Sequence, residues 1–158
     1  MVASNVNGDG VASGVVSATP SKVLSVADIG VDCSTPQPHP FVDVAESSFA
    51  YDSIGCIYAL EVTTGTSSET YSPAGLVTRE QMAAFLERMY ESLTNIECGG
   101  EHPFVDVAES SFAYDSIGCI YGLGVTTGTS SETYSPGESV TREQMAAFLD
   151  RLYNTVTS

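Results

Sequence analysis

Few residues of this chain have the type and spacing for chemistry, and the clearest are two arginines. The ten residues VTREQMAAFL occur at 77–86 and again at 140–149, and each copy places an arginine, Arg79 or Arg142, on the first turn of a helical pattern. A helix N-terminus carries about half a positive charge, so a cation there is disfavoured by a few tenths of a kcal/mol. The same terminus offers unsatisfied backbone N–H groups, and a guanidinium fork beside them makes a site suited to a carboxylate or phosphate. The alternative is that Arg79 pairs with Asp43, Asp52 or Glu80. Arg88 lies nine residues on, about half a turn around the axis from Arg79. Its place in the last turns suits the helix dipole, and it reads as a solvated or carboxylate-paired side chain.

Other chemistry-bearing residues are weaker candidates. Asp43, Asp106, Glu46 and Glu109 are potential acid–base groups. The aspartates are as easily read as caps for the following helix, and no nucleophile elbow, phosphate loop or metal-ligand set accompanies them. Catalysis is therefore not expected, and no cofactor is expected either. The four cysteines follow a repeat. Cys56 and Cys119 are equivalent, while Cys33 and Cys98 each precede an HPFVDV stretch. Of three possible connectivities, Cys33–Cys56 with Cys98–Cys119 best fits autonomous units, each loop stabilising by roughly 3 kcal/mol in the chain-entropy model. Four buried free thiols remain an alternative. A zinc site is disfavoured because His39 and His102 precede prolines and no CxxC accompanies them. Disulfides would place the chain outside the cytoplasm.

The elements that must position these residues come from an internal duplication. Residues 39–90 return as residues 102–153 with 45 of 52 positions the same, so one supersecondary unit is used twice. Ala50, Ile54, Ile57 and Tyr58 follow helical spacing and predict a short first helix. VTTGTSSETYSP then reads as an ordered loop closed by Pro73. The second helix has complete start signals: Thr78 as N-cap, Gln81 three residues later to close a capping box, and Val77 positioned to staple onto Met82. Met82, Phe85, Leu86, Met89 and Leu93 are its expected buried face. The expected fold is mainly α, with two tandem helix-loop-helix units at 33–98 and 99–158. Residues 1–32, rich in Val, Ser and Gly, are expected to be an N-terminal extended or β segment, either two short strands or the end of a preceding β domain. Asn5, Asn7 and Asp9 with Gly10 resemble the start of a calcium loop, but the twelfth position is Val16 rather than a bidentate acid, and a Gly-rich hairpin turn is the competing reading.

Charge narrows the partners. Five Lys and Arg stand against 20 Asp and Glu, for a net charge of −15. Such a surface argues against nucleic acid and against anionic lipid. No apolar run approaches the length of a bilayer span, and the opening MVASNVNGDG lacks the basic and apolar regions of a signal peptide, so the natural N-terminus is expected upstream.

FVDV at 41–44 and 104–107, the Ile54/Ile57 helix, GVTTG at 124–128, YSP at 71–73 and 134–136, and VTREQ together resemble the surface-layer homology (SLH) repeat, over some 110 of the 158 residues. The resemblance implies a non-catalytic, extracellular module at a bacterial cell surface, binding anionic secondary cell-wall polysaccharide in grooves between neighbouring repeats. It implies that Arg79 and Arg142, at the arginine of the family's T-R-A-E motif, contact the glycan. The motif's glutamate is Gln81 and Gln144 here, and its alanine is Glu80 and Glu143. Phe49 and Phe112 stand where the family commonly has tryptophan, able to stack on a sugar face. Gly124 precedes the second VTTG stretch, where the first repeat has Glu61. The family usually gathers three repeats, which implies a third repeat elsewhere, association with another copy, or binding through an incomplete set. The alternative function is a structural surface-layer protein that self-associates through its repeats.

Overall fold

The computed structural model of the protein describes residues 23–157. The calcium-like turn and most of the expected N-terminal strands lie outside the described residues. The described residues form five helices: α1 Val26–Ile29, α2 Tyr51–Ala59, α3 Arg79–Thr94, α4 Tyr114–Gly122 and α5 Arg142–Thr157. Pairing of extended backbone among them amounts to one isolated antiparallel bridge, Thr78 to Ser139. The extended reading of 1–32 is corrected in its described part. Ser25 and Asp28 form a reciprocal capping box around the single turn α1, which ends at Gly30 with φ 76°. That S-x-x-D signal was present in the sequence. The Leu24 N–H donates to Leu93 O at 2.9 Å and ties the segment to α3.

Each repeat is a short helix, a loop and a long helix, as the periodicity predicts. Thr78 caps α3 by accepting from the Gln81 N–H, and Gln81 returns the bond to the Thr78 N–H at 3.0 Å. Thr141 and Gln144 make the same exchange at 3.1 and 3.2 Å. Both expected disulfides are present, Cys33–Cys56 and Cys98–Cys119, each fastening an incoming segment to the first helix of its repeat. His39 and His102 are aromatic-box residues. Each imidazole Nδ1 accepts from a phenylalanine N–H two residues on at 3.2 Å, and each ring packs on that phenylalanine and on Tyr51 or Tyr114.

The two repeats share a core. Met82, Ala83, Leu86 and Tyr90 of α3 belong to one buried cluster with Ile117, Cys119 and Ile120 of α4 and Phe148 and Leu152 of α5. The buried face of α3 is therefore turned from the expected one: Ala83 and Tyr90 are buried, while Phe85, Met89 and Leu93 are half-buried. The reason is that α3 is covered on two sides, by its own repeat and by the next. The Ser116 hydroxyl donates to Glu87 at 2.5 Å across this contact, and burial raises the Glu87 carboxyl above the ordinary range against that bond.

The backbone explains one difference between the repeats. Gly124 leaves α4 at φ 71°, and Glu61, its equivalent after α2, adopts φ 60° with a side chain present. Left-handed backbone costs a non-glycine residue about 1–2 kcal/mol. Glu61→Gly is expected to stabilise the protein by about 1 kcal/mol in urea titrations, and no gain would show that the glutamate side chain makes up the strain.

Candidate functional site

In each repeat a groove runs between the VTTGT loop and the second helix. The first groove, about 310 Å³, is lined by loop residues 63–66, by Tyr71, Gln81, Phe85 and Arg88, and by Phe112 of the second repeat. The second, about 360 Å³, is lined by residues 126–129, by Gln144, Phe148 and Arg151, and by Arg79 of the first repeat. Both volumes fall within the usual range for small-molecule sites, about 300–1,000 Å³.

The loop that floors each groove is fixed by local chemistry. Gly65 and Gly128 have φ 80° and 81°, and a Cβ there would lie 2.4 Å from Phe41 or Phe104 Cε1 and 2.5 Å from Thr70 or Thr133 O. Only glycine fits. The far end of the loop is clamped by the FVDV aspartates. Asp43 accepts from the Tyr71 and Ser72 N–H groups at 2.8 and 2.7 Å, and Asp106 from those of Tyr134 and Ser135 at 2.8 Å each. Ser72 and Ser135 sit at φ 59° and 60°, a strained backbone that the carboxylates hold. The Tyr71 N–H, with that of Ser72, keeps the Asp43 carboxyl below its ordinary value. The expectation that these aspartates cap the next helix is corrected: the N-cap positions are Ala50 and Ala113, with no side-chain cap bond. The sequence held the signal, an aspartate 28 residues ahead of each YSP tyrosine in both repeats.

The cations occupy places that helix periodicity did not disclose. Arg88 Nη1 donates to Val62 O at 3.2 Å, and Arg151 Nη1 to Val125 O at 2.9 Å, so each leans on its own loop and lines its own groove. Arg88 is half-buried and bonded to a loop carbonyl, which corrects its reading as a solvated or carboxylate-paired side chain. Arg79 is 3% exposed and crosses into the second repeat. Its Nε donates to Tyr134 O at 2.7 Å, and its guanidinium carbon lies 4.6 Å from the Tyr134 ring centroid and 5.7 Å from that of Phe148. Tyr134 returns a hydrogen bond from its hydroxyl to Arg79 O at 2.9 Å. Asp43, Asp52 and Glu80 are not its partners. The cation is desolvated with ring faces and a carbonyl for company, and its terminal amino groups make no hydrogen bond among the described residues.

The remaining expected site residues divide. Gln81 and Gln144 line the grooves of their own repeats while closing the capping boxes. Phe112, 66% exposed, overhangs the first groove. Phe49, Arg142 and Gly124 are exposed and line neither groove. Arg142 carries the same sequence as Arg79, but the described residues place nothing after α5 for it to enter.

Burial of Tyr134 has a measurable consequence. Its phenol is pushed up to about 12 chiefly by burial, with Arg79 opposing and Glu80 adding. The unfolded chain loses this proton near pH 10 and the folded chain only near 12. The stability is therefore complete below pH 10 and lost progressively from 10 to 12, by about 2–3 kcal/mol for a shift of this size. Denaturant midpoints measured across that window are expected to fall less in Tyr134→Phe than in the parent; equal slopes would show that another group controls the alkaline transition.

Among the described residues no helix is long and apolar enough to cross a membrane, and no group of three His, Cys, Asp or Glu side chains is arranged to hold a metal ion. The chain is 35% identical over 133 residues to an endoglucanase of Bacillus sp. (strain KSM-635), covering 84% of this chain and 14% of that protein. It is 29% identical over 131 residues to a cell surface protein of Thermoanaerobacter kivui, covering 82% of this chain and 17% of that protein. The chain thus spans less than a fifth of either relative, so the shared region is a small part of each of them. The S-layer homology domain matches residues 40–83 and 103–146, more than half of the chain. With its repeat architecture and grooves, the chain belongs to the S-layer homology domain family, non-catalytic modules that hold proteins at the cell surface.

Proposed function

We propose that this chain anchors a larger protein to the bacterial cell wall by binding an anionic secondary cell-wall polysaccharide in its grooves. The observation that carries the reading is the state of Arg79, a guanidinium 3% exposed, without a carboxylate partner, whose terminal amino groups are uncommitted at the second groove. A buried cation without a counter-charge is costly, and a ligand carboxylate seated there would supply both the charge and the hydrogen-bond acceptors. Arg151 lines the same groove, so a second cation stands within it. Phe112 gives the first groove an exposed aromatic face suited to a sugar ring.

The test is sedimentation of the oxidised protein with purified cell-wall sacculi, with and without their secondary polysaccharide. Polysaccharide-dependent pelleting is expected, reduced at least tenfold in Arg79→Ala, the loss expected for a charge-assisted contact of about 1.5–3 kcal/mol. Pelleting that does not depend on the polysaccharide would refute the reading. Because a chain of net charge −15 meets long-range repulsion from an anionic polymer, moderate salt is expected to leave binding unchanged or to help it.

One observation favours a second reading, self-association into a surface layer. Met145, Leu149 and Tyr153 line one side of α5 and are 38%, 48% and 66% exposed. Concentration-dependent association without glycan, seen by sedimentation equilibrium, is what that reading requires.

A further inference from the structure

Glu87 is half-buried on the face of α3 that meets α4, at the junction between the repeats. It accepts from the Ser116 hydroxyl at 2.5 Å, and Ser116 is 4% exposed, so the bond lies across the junction and largely out of water. One turn along α3, Glu91 accepts from the Cys98 N–H at 2.8 Å and holds the linker that the second disulfide fastens to α4. Asp115 stands beside Ser116 in the first turn of α4. Among the described residues, the charges that act on Glu87 are Glu91 and Arg88 from α3 and Asp115 from α4. Two of the three repel a carboxylate, and the third already donates to Val62 O.

Ionised, Glu87 sheds part of its hydration and faces two like charges, against one hydrogen bond and a cation that is already engaged. Protonated, its carbonyl oxygen still accepts from Ser116, while the desolvation and the repulsion disappear. We propose that Glu87 is a proton-operated clasp: uptake of one proton in mild acid tightens the junction of the repeats, and its release towards neutral pH loosens it. The proton comes from solvent onto a Glu87 carboxylate oxygen, and no covalent bond changes. Burial raises the carboxyl above its ordinary range, with the Ser116 bond opposing. As pH falls, the folded chain thus takes up the proton before the unfolded chain does. The stabilisation is complete below the unfolded value, about 4.3, and is lost as pH rises through the raised folded value. Arg79 and Phe112 reach across the same junction to the second and first grooves, so a looser junction moves a residue of each.

The experiment uses the full oxidised chain. In the parent, the carboxyl carbon resonance of Glu87 is expected to titrate at higher pH in the folded protein than in the same protein unfolded in urea. Hydrogen exchange of the α4 amides, corrected for intrinsic rates, is expected to be slower at about pH 5 than at about pH 7. Glu87→Gln, which keeps the shape of the protonated carboxyl, is expected to remove that difference. Relative to this variant, the urea midpoint of the parent is expected to rise as pH falls from about 7 to about 4.5. Ser116→Ala removes the bond that favours the ionised form and is expected to move that rise to higher pH. Equal titration of Glu87 in the folded and unfolded chains would overturn the proposal, as would a midpoint difference between parent and Glu87→Gln that does not change with pH. Should either variant fail to fold, titration and exchange of the unaltered protein still decide. A raised titration without any change in α4 protection would show that Glu87 binds its proton without operating the junction, and the clasp would fall.

Discussion

Leu86→Ala should destabilise the protein by about 3–5 kcal/mol, while Leu149→Ala, the same substitution in the same ten-residue sequence, should cost less than about 1 kcal/mol. Leu86 is 2% exposed and Leu149 is 48% exposed. The first substitution removes buried carbons and leaves a cavity in a cluster that holds α3 against α4 and α5. The second removes a side chain that is already half in water, and the surrounding solvent fills the space. The pair forms an internal control, since helix propensity and sequence neighbours are nearly the same and only the covering repeat differs. Urea titrations of both variants, with Tyr90→Ala and Tyr153→Ala as a second pair at 2% and 66% exposure, measure the difference directly. Equal losses at 86 and 149 would mean that the α5 face is covered in solution, which is the outcome that self-association requires.

That comparison also marks what the sequence could disclose. The capping boxes of Thr78 with Gln81 and of Thr141 with Gln144 were legible because they are local, three residues apart. The disulfide pairing was legible because a repeat constrains which cysteines share a unit. The surroundings of Arg79 and Arg142 were not, because identical local sequence cannot disclose that Arg79 is buried against Tyr134 and Phe148 of the second repeat while Arg142 is exposed. The same limit hid the burial of Ala83 and Tyr90, whose cover comes from α4 in the next repeat. The place of Arg88 was hidden for a different reason: helical position gives the angle of a side chain, but its partner is a carbonyl 26 residues away in the loop, as it is for Arg151. The aspartate clamp lay between these cases, its spacing visible in both repeats while its role depended on the left-handed serines it holds.

Gly118→Ala should be the most damaging added methyl among the described glycines, costing more than about 3 kcal/mol, and Gly122→Ala, four residues along the same helix, should be stabilising by up to about 1 kcal/mol. A Cβ on Gly118 would lie 1.7 Å from Gly100 O and 2.5 Å from Gly100 C, a backbone segment that cannot turn aside as a side-chain end does. The overlap is with the strand of chain that the Cys98–Cys119 disulfide draws onto α4, so either α4 or the covalent loop must move. Overpacking against backbone belongs with the large destabilisations. Gly55 repeats the arrangement in the first repeat, where a Cβ would meet Gln37 O at 2.0 Å, which gives the glycine in each YDSIGC helix the same physical cause. Nothing lies within 4 Å of a Cβ on Gly122, and its equivalent in α2 is already Ala59, so there the added methyl only lowers the entropy lost on forming the helix. Thermal unfolding of the two variants under oxidising conditions, with free thiols counted, separates the contributions. A stable Gly118→Ala with its disulfide closed would mean that the 98–100 segment does not rest on α4.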